Sequence, residues 1–272
     1  PAERQTALFS ATLPASILEI ASSKLSSPEN VVVEQTEAIT GAAPQVAQSA
    51  YCVRKAQRLA ALARILRIEA PELALVFTRT RLEVEEVSEG LRARGLAVES
   101  LHGGLDQASR ERVIARARNG SAAVIVATDV AARGLDIDRI SHVFNYGVPE
   151  SAQTYVHRIG RTGRAGRSDV AITILEPYAR RQLRELQAAA HADIACLEVP
   201  TAAEARGKLL DNLCAQIARK AGDGAADASA SACLKAVDVL ARQGADPKAL
   251  AVAALRVMLA AHNAAGDDEE IA

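Results

Sequence analysis

The sequence contains no tryptophan, and aromatic residues make up only 3% of it. Sandwiches and barrels fill the space between their sheets with large side chains, so this poverty disfavours an all-β architecture. Neither sign of charge prevails: 32 Lys and Arg stand against 33 Asp and Glu, for a formal charge of −1. That balance excludes attraction of the whole chain to nucleic acid or to an anionic membrane, so any basic site must be local. The four cysteines, Cys52, Cys196, Cys214 and Cys233, lie far apart and form no C-x-x-C pair. Reduced, structural thiols are expected, and no metal site. A run of about 18 apolar residues, the length of a membrane span, is missing, as is a basic leader followed by an apolar stretch. A soluble, cytoplasmic protein without a membrane partner is the resulting expectation.

What is present is a change of pattern along the chain. Residues 6–33 suggest strand, helix, strand, with a buried strand at Thr6–Phe9, a helix over Pro14–Leu25 and VVVE from Val31. Three elements cannot stand alone, and the opening inside a strand suggests a piece of a longer protein. Residues 35–48 have no apolar periodicity and suggest a linker. From Ser49 short β-rich runs alternate with amphipathic helices, the pattern of a parallel sheet covered on both faces. The strands are expected at Ala50–Val53, Ala74–Phe77, Ala97–Leu101, Ala123–Ala127, His142–Asn145 and Asp169–Leu175. Helices are expected over Lys55–Ile68, Arg81–Arg94, Gln107–Asn119 and Ser151–Gly160. In the second of these, Leu82, Val87 and Leu91 should face inward, and Glu83, Glu85, Glu86 and Glu89 should form a solvated face.

Beyond Pro200 three Ala-rich helices follow, Ala202–Lys220, Ser229–Gln243 and Pro247–Asn263. Large apolar residues are sparse in them, and a small scaffold of this kind usually needs a partner. A dimerisation module over residues 201–265 is expected, with a bundle folded back on its own sheet as the alternative. Residues 266–272 form an acidic tail.

Three stretches carry chemistry. In YVHRIGRTGRAGR, Tyr155–Arg167, arginines recur every third residue with glycines between them. Guanidinium forks beside close-approaching backbone suit a polyphosphate or a nucleic-acid backbone; a solvated basic loop or a ladder of ion-paired structural arginines is the competing explanation. In ATDVAARGLDID, Ala127–Asp138, the residues follow a strand's carboxyl end, where open α/β sheets bind ligands. There Asp136 can accept from ribose hydroxyls, or merely cap a helix or turn. In HGGLDQASRER, His102–Arg112, two glycines expose N–H groups ahead of a helix that carries Gln107 and Arg110 in its first turn, a geometry suited to phosphate. His102 itself fits a hydrogen-bonded loop residue better than a catalyst.

In this order and spacing the segments resemble the DEAD-box helicases. SAT at Ser10–Thr12 is similar to their motif III, LVFTRT at Leu75–Thr80 to motif IV, HGGLDQASR to motif IVa, ATDVAARGLDI to motif V and HRIGRTGR at His157–Arg164 to motif VI. The likeness spans roughly residues 1–190. It implies an α/β, RecA-like domain over residues 49–200, preceded by the remnant of a first such domain over 1–34. By resemblance Arg161 and Arg164 are arginine fingers, His157 links nucleotide to motif III, and Gly134 and Asp136 join the two arginines at ATP. Thr78, Arg79, Gly103, Gln107, Arg110, Thr128 and Asp129 would hold RNA, and Ser10 and Thr12 would couple the domains. ATP would bind with Mg2+, whose ligands belong to a first RecA-like domain, the expected partner besides RNA. No P-loop and no DEAD tetrapeptide occur in the chain, so alone it is expected neither to hydrolyse ATP nor to unwind RNA. A DNA helicase of the wider superfamily and a non-enzymatic assembly module are the alternatives. The helical tail resembles, more loosely, the dimerisation domain of the heat-resistant RNA-dependent ATPase subfamily.

Overall fold

Runs such as ALVFT and VIVAT are buried at every position, which happens only when a strand is covered on both faces. The computed structural model describes residues 4–9, 15–31, 46–162, 169–190, 193–222, 228–262 and 271. It divides into two compact units, residues 1–42 and 43–272.

In the first unit the described elements are an irregular stretch at 4–9 and helix α1, Ala15–Lys24. The strand expected at Thr6–Phe9 is absent, and Leu8 and Phe9 are exposed, Phe9 at 92%. A strand is stable only when its N–H and C=O groups find a neighbour, and the unit offers none among its described residues. Apart from Val31, which is exposed and irregular, the VVVE segment lies outside the described residues.

The second unit is built on strands β1 (Ala47–Cys52), β2 (Ala74–Thr78), β3 (Val98–Leu101), β4 (Val124–Thr128), β5 (His142–Tyr146), β6 (Val170–Leu175) and β7 (Ala195–Leu197). They form one sheet in the order β3-β4-β2-β5-β6-β1-β7, with every neighbouring pair parallel. Helices α2 (Arg58–Glu69), α3 (Arg81–Arg92), α4 (Gln107–Arg118), α5 (Asp129–Ala132), α6 (Ala152–Ile159) and α7 (Arg180–Ala190) connect and cover the strands. Successive strand residues point to opposite faces, and the core divides accordingly. Val76, Val124, Val126, Phe144, Ile172 and Ile174 pack under α2 and α3. Leu75, Phe77, Ile125, Ala127 and Val143 pack under α4 and α5. This is the expected RecA-like architecture. Sequence periodicity missed β7, whose three residues are all exposed and so carry no burial pattern.

The inner stripe of α3 is Val84, Val87, Ser88 and Leu91, at helical spacing. Leu82 falls outside that stripe and is 69% exposed, contrary to expectation. The acidic face of α3 is not simply solvated either. Glu83 takes Arg58 and the backbone N–H of Arg79, and Glu85 takes His102.

The tail forms α8 (Ala202–Gly222), α9 (Ala228–Arg242) and α10 (Pro247–His262). Helix α8 packs on α2 and touches α10; it buries Leu209 and Leu213, while Arg64 donates to the Pro200 carbonyl at its base. A capping box starts it, Thr201 and Glu204 exchanging side-chain-to-backbone bonds. No described helix is long and apolar enough to cross a membrane.

Candidate nucleotide and nucleic-acid interface

Loops remote in sequence meet on one edge of the sheet. β3, β4 and β2 are consecutive neighbours, with Leu101 beside Ala127 and Thr78 beside Thr128. The segments leaving their carboxyl ends are those singled out by sequence, so Thr78, Arg79, Gly103, Gln107, Arg110, Thr128 and Asp129 gather on that edge. Caps fix where the helices begin. Thr80 accepts from the Glu83 N–H at the start of α3, and Asp106 accepts from the Ser109 N–H, 2.6 Å away, at the start of α4. That bond to Ser109 holds the Asp106 carboxyl below the usual carboxylate range.

Within the edge the side chains differ in what holds them. Thr78 is buried and its hydroxyl donates to the Thr80 carbonyl, 3.4 Å away. Arg79 is exposed, with Glu150 at 3.6 Å. Gln107 donates along its own helix to Glu111. Arg110 donates to the Arg133 carbonyl at 3.3 Å. Thr128 is buried, at the junction of β4 and α5. Both carboxylate oxygens of Asp129 are engaged, each 2.7 Å from a nitrogen of Arg158.

That fork decides what the arginine-rich stretch is. Arg158 is 6% exposed; its remaining Nη1 donates to Asn145 Oδ1 at 2.9 Å, and its guanidinium lies 4.9 Å from the Phe77 ring centre. Asn145 in turn donates to Thr173. Arg158 is therefore a neutralised structural arginine. Arg161, one turn on, pairs with no carboxylate among the described residues and donates only to the Leu135 carbonyl, at 3.3 Å. Thr162 follows with a buried bond to the Ile140 carbonyl. These two bonds fasten the end of α6 to the loop that carries Gly134, at φ +72 with open space around it, and exposed Asp136. Arg118 of α4 grips the same loop through the Asp136 carbonyl. His157 is exposed and makes no hydrogen bond to a described residue. Arg164, Ser10 and Thr12 lie outside the described residues. Among those described, no group of His, Cys, Asp and Glu is arranged to hold a metal ion.

The helicase conserved C-terminal domain family matches residues 57–166, the segment that contains this edge and its two arginines. A DEAD-box ATP-dependent RNA helicase, CshA of Geobacillus kaustophilus, is 44% identical over 205 residues, which are 75% of this chain and 43% of that protein. The crystal structure of E. coli DEAD-box protein SrmB bound to regulator of ribonuclease activity A (RraA) superposes with a TM-score of 0.53 at 36% identity, covering 57% of this chain and 90% of that one. The chain belongs to the DEAD-box helicases and carries their C-terminal domain. S. cerevisiae Dbp5 bound to RNA and ADP BeF3 shares the fold over 77% of this chain and 56% of its own, with a TM-score of 0.65 at 27% identity. The present DEAD-box chain spans about two-fifths of the length of the CshA relative, 43%. The DNA-helicase alternative gains no support from these likenesses.

Some residues of the DEAD-box domain's edge were not singled out from sequence. Arg81 lies over Gly103, its Nη2 3.1 Å from where a Cβ would stand, and Glu85 grips His102. Both belong to α3, and their signal was spacing: positions 81 and 85 are one helical turn apart on the face toward the glycine turn.

Proposed function

We propose that this chain is the second RecA-like half of an ATP-dependent RNA helicase that remodels short RNA duplexes by ATP-driven domain closure. The observation that carries the reading is the contrast between two arginines one turn apart. Arg158 is neutralised by Asp129, whereas Arg161 keeps its charge, anchored by a carbonyl beside the Asp136 loop. A guanidinium held by a neutral acceptor is oriented without being cancelled, as stabilising charge on a transferring phosphoryl group requires. Arg164 would join it, Gly134 and Asp136 would receive the ribose side of ATP, and His157, like Ser10 and Thr12, would serve interdomain coupling. Mg2+ would be held by the first domain, as the resemblance to the DEAD-box helicases implies.

On the neighbouring edge, Thr78, Arg79, Gly103, Gln107, Arg110 and Thr128 would hold the RNA sugar–phosphate backbone, which gives affinity without sequence preference. Asp129 would serve this surface indirectly, by fixing Arg158. In domain terms, residues 1–34 would complete the first RecA-like domain, 35–48 would link the two, and 49–200 would be the second. The test is a pair of measurements. The chain by itself should release no phosphate from ATP with RNA present. In the protein that also contains the P-loop domain, Arg161→Ala should cut RNA-stimulated hydrolysis on the order of 10³-fold, and a loss under tenfold would overturn the assignment.

A second copy of the chain is the partner proposed for residues 201–265. Leu234, Val237, Val239 and Leu240 of α9 and Val252 and Val257 of α10 are 42–70% exposed, more apolar surface than a lone hairpin leaves bare without reason. Sedimentation equilibrium over a range of concentrations decides, and a monomer throughout removes the proposal.

A further inference from the structure

The glycine turn at His102–Leu105 is held by a chain of bonds that starts at Arg92, a residue given no role above. Arg92 Nη2 donates to Ser100 Oγ at 3.0 Å. Ser100 Oγ donates to Glu85 Oε2 at 3.4 Å. Glu85 Oε1 lies 2.5 Å from His102 Nε2, and His102 Nδ1 lies 3.1 Å from the Gly104 N–H. The Gly104 amide can only donate, so Nδ1 must be the unprotonated nitrogen, and the ring proton must sit on Nε2, facing Glu85. The carboxylate accepts and cannot donate, so it enforces the same tautomer from the other side. We infer that Glu85 and His102 are a positioning pair: the carboxylate selects the imidazole tautomer that pulls in the Gly104 N–H and so sets the Gly103–Gly104 turn for an RNA phosphate. This deepens the RNA reading of that edge and rests on it.

The turn has little else to define it. Gly103 and Gly104 are exposed and lack side chains, and among the described residues the one other backbone bond in the turn runs from the Leu105 N–H to the His102 carbonyl, at 3.2 Å. A Cβ at Gly104 would stand 3.0 Å from the His102 ring, and one at Gly103 would stand 3.1 Å from Arg81. The imidazole thus closes over Gly104 and the Arg81 guanidinium over Gly103. Removing Glu85 frees the ring to take the other tautomer, in which Nδ1–H and Gly104 N–H oppose each other.

The test uses the whole chain, with His ring ¹⁵N shifts, exchange of the Gly104 amide hydrogen, thermal melting, and fluorescence anisotropy with a labelled single-stranded oligouridylate. The unaltered protein should show the Nε2–H tautomer and a protected Gly104 amide. Glu85→Ala should mix the tautomers, speed Gly104 exchange and weaken RNA binding about tenfold, the order of one lost hydrogen bond. Glu85→Asp should recover part of each, and the melting midpoint should stay put. An Nδ1–H tautomer in the unaltered protein, or unchanged Gly104 exchange in Glu85→Ala, overturns the pair. If Arg110→Ala weakens RNA binding and Glu85→Ala does not, the positioning role fails while the RNA edge stands. Absence of RNA binding by the unaltered chain overturns both.

Discussion

Replacing Asp129 by Asn tests the partition of arginines directly. Asparagine keeps the shape and one carbonyl acceptor but removes the charge and one of the two 2.7 Å bonds to Arg158. The Arg158 side chain is 7% exposed and that of Asp129 39%. Stripping a fully buried ion pair of one partner costs about 3–5 kcal/mol, because the remaining charge is stranded. Water reaches Asp129, and Asn145 Oδ1 and the Phe77 ring still face the guanidinium, so a loss of about 2 kcal/mol is expected here. For a unit of this size that corresponds to a melting midpoint lower by roughly 4–8 °C. Urea denaturation followed by circular dichroism measures it, urea being uncharged. A cycle with Arg158→Met should give a coupling of about 1–3 kcal/mol. A loss within 0.5 kcal/mol of zero, or no coupling, would refute the claim that the fork is structural. Asp129→Asn should also weaken RNA binding less than Arg110→Ala does, since both its oxygens are already engaged.

Burial pushes the Tyr155 hydroxyl up to about 12, while it donates to Gln48 Oε1 at 2.6 Å. The fold favours the neutral phenol, so its stabilisation is complete below pH 10 and is lost as pH rises through 12; Tyr155→Phe should remove that alkaline component from a denaturation series, and a series unchanged by the substitution would contradict the assignment. At Gly120, φ is +81 and a Cβ would stand 2.6 Å from Arg139 Nη1. Gly120→Ala should therefore destabilise by about 1–3 kcal/mol and displace Arg139 from Glu72 and from the Arg118 carbonyl, which a crystal structure of the variant would show.

The sheet was legible because its strands are buried on both faces and its helices on one, so apolar period follows structure. Strand ends came within a few residues for the same reason. Where burial is absent the signal fails: β7 is fully exposed, and the apolar run at Thr6–Phe9 forms no strand in its own unit. The candidate site was legible as a set of segments, since glycines and arginines cluster in the stretches that leave the carboxyl ends of β3 and β4 and close α6. Its internal division was not. Arg158 and Arg161 are three residues apart in one motif and look alike in sequence, but Asp129, 29 residues from Arg158, selects between them. Glu85 looked like one of four solvated acids on α3 because nothing local says that His102 will stand opposite it.

The wider pattern is how the unit spends its guanidinium groups. Arg58 is enclosed by Glu83, Glu176, the Tyr146 carbonyl and the Tyr146 ring, whose centre is 3.9 Å away. Arg139 has Glu72, and Arg158 has Asp129. Each of these cations meets a carboxylate, so its field is short-ranged and its work is to hold elements together. The arginines at the loop 133–136 are fixed differently: Arg110, Arg161 and Arg118 donate to the carbonyls of Arg133, Leu135 and Asp136 in turn. A carbonyl orients a guanidinium without neutralising it, so three guanidinium groups are held against one short loop by neutral acceptors. Because Arg110 belongs to the proposed RNA edge and Arg161 to the proposed nucleotide edge, one strip of backbone carries both. Whatever draws Arg110 away from its carbonyl loosens the same strip that orients Arg161, so occupancy of the two edges should be energetically linked through residues 133–136.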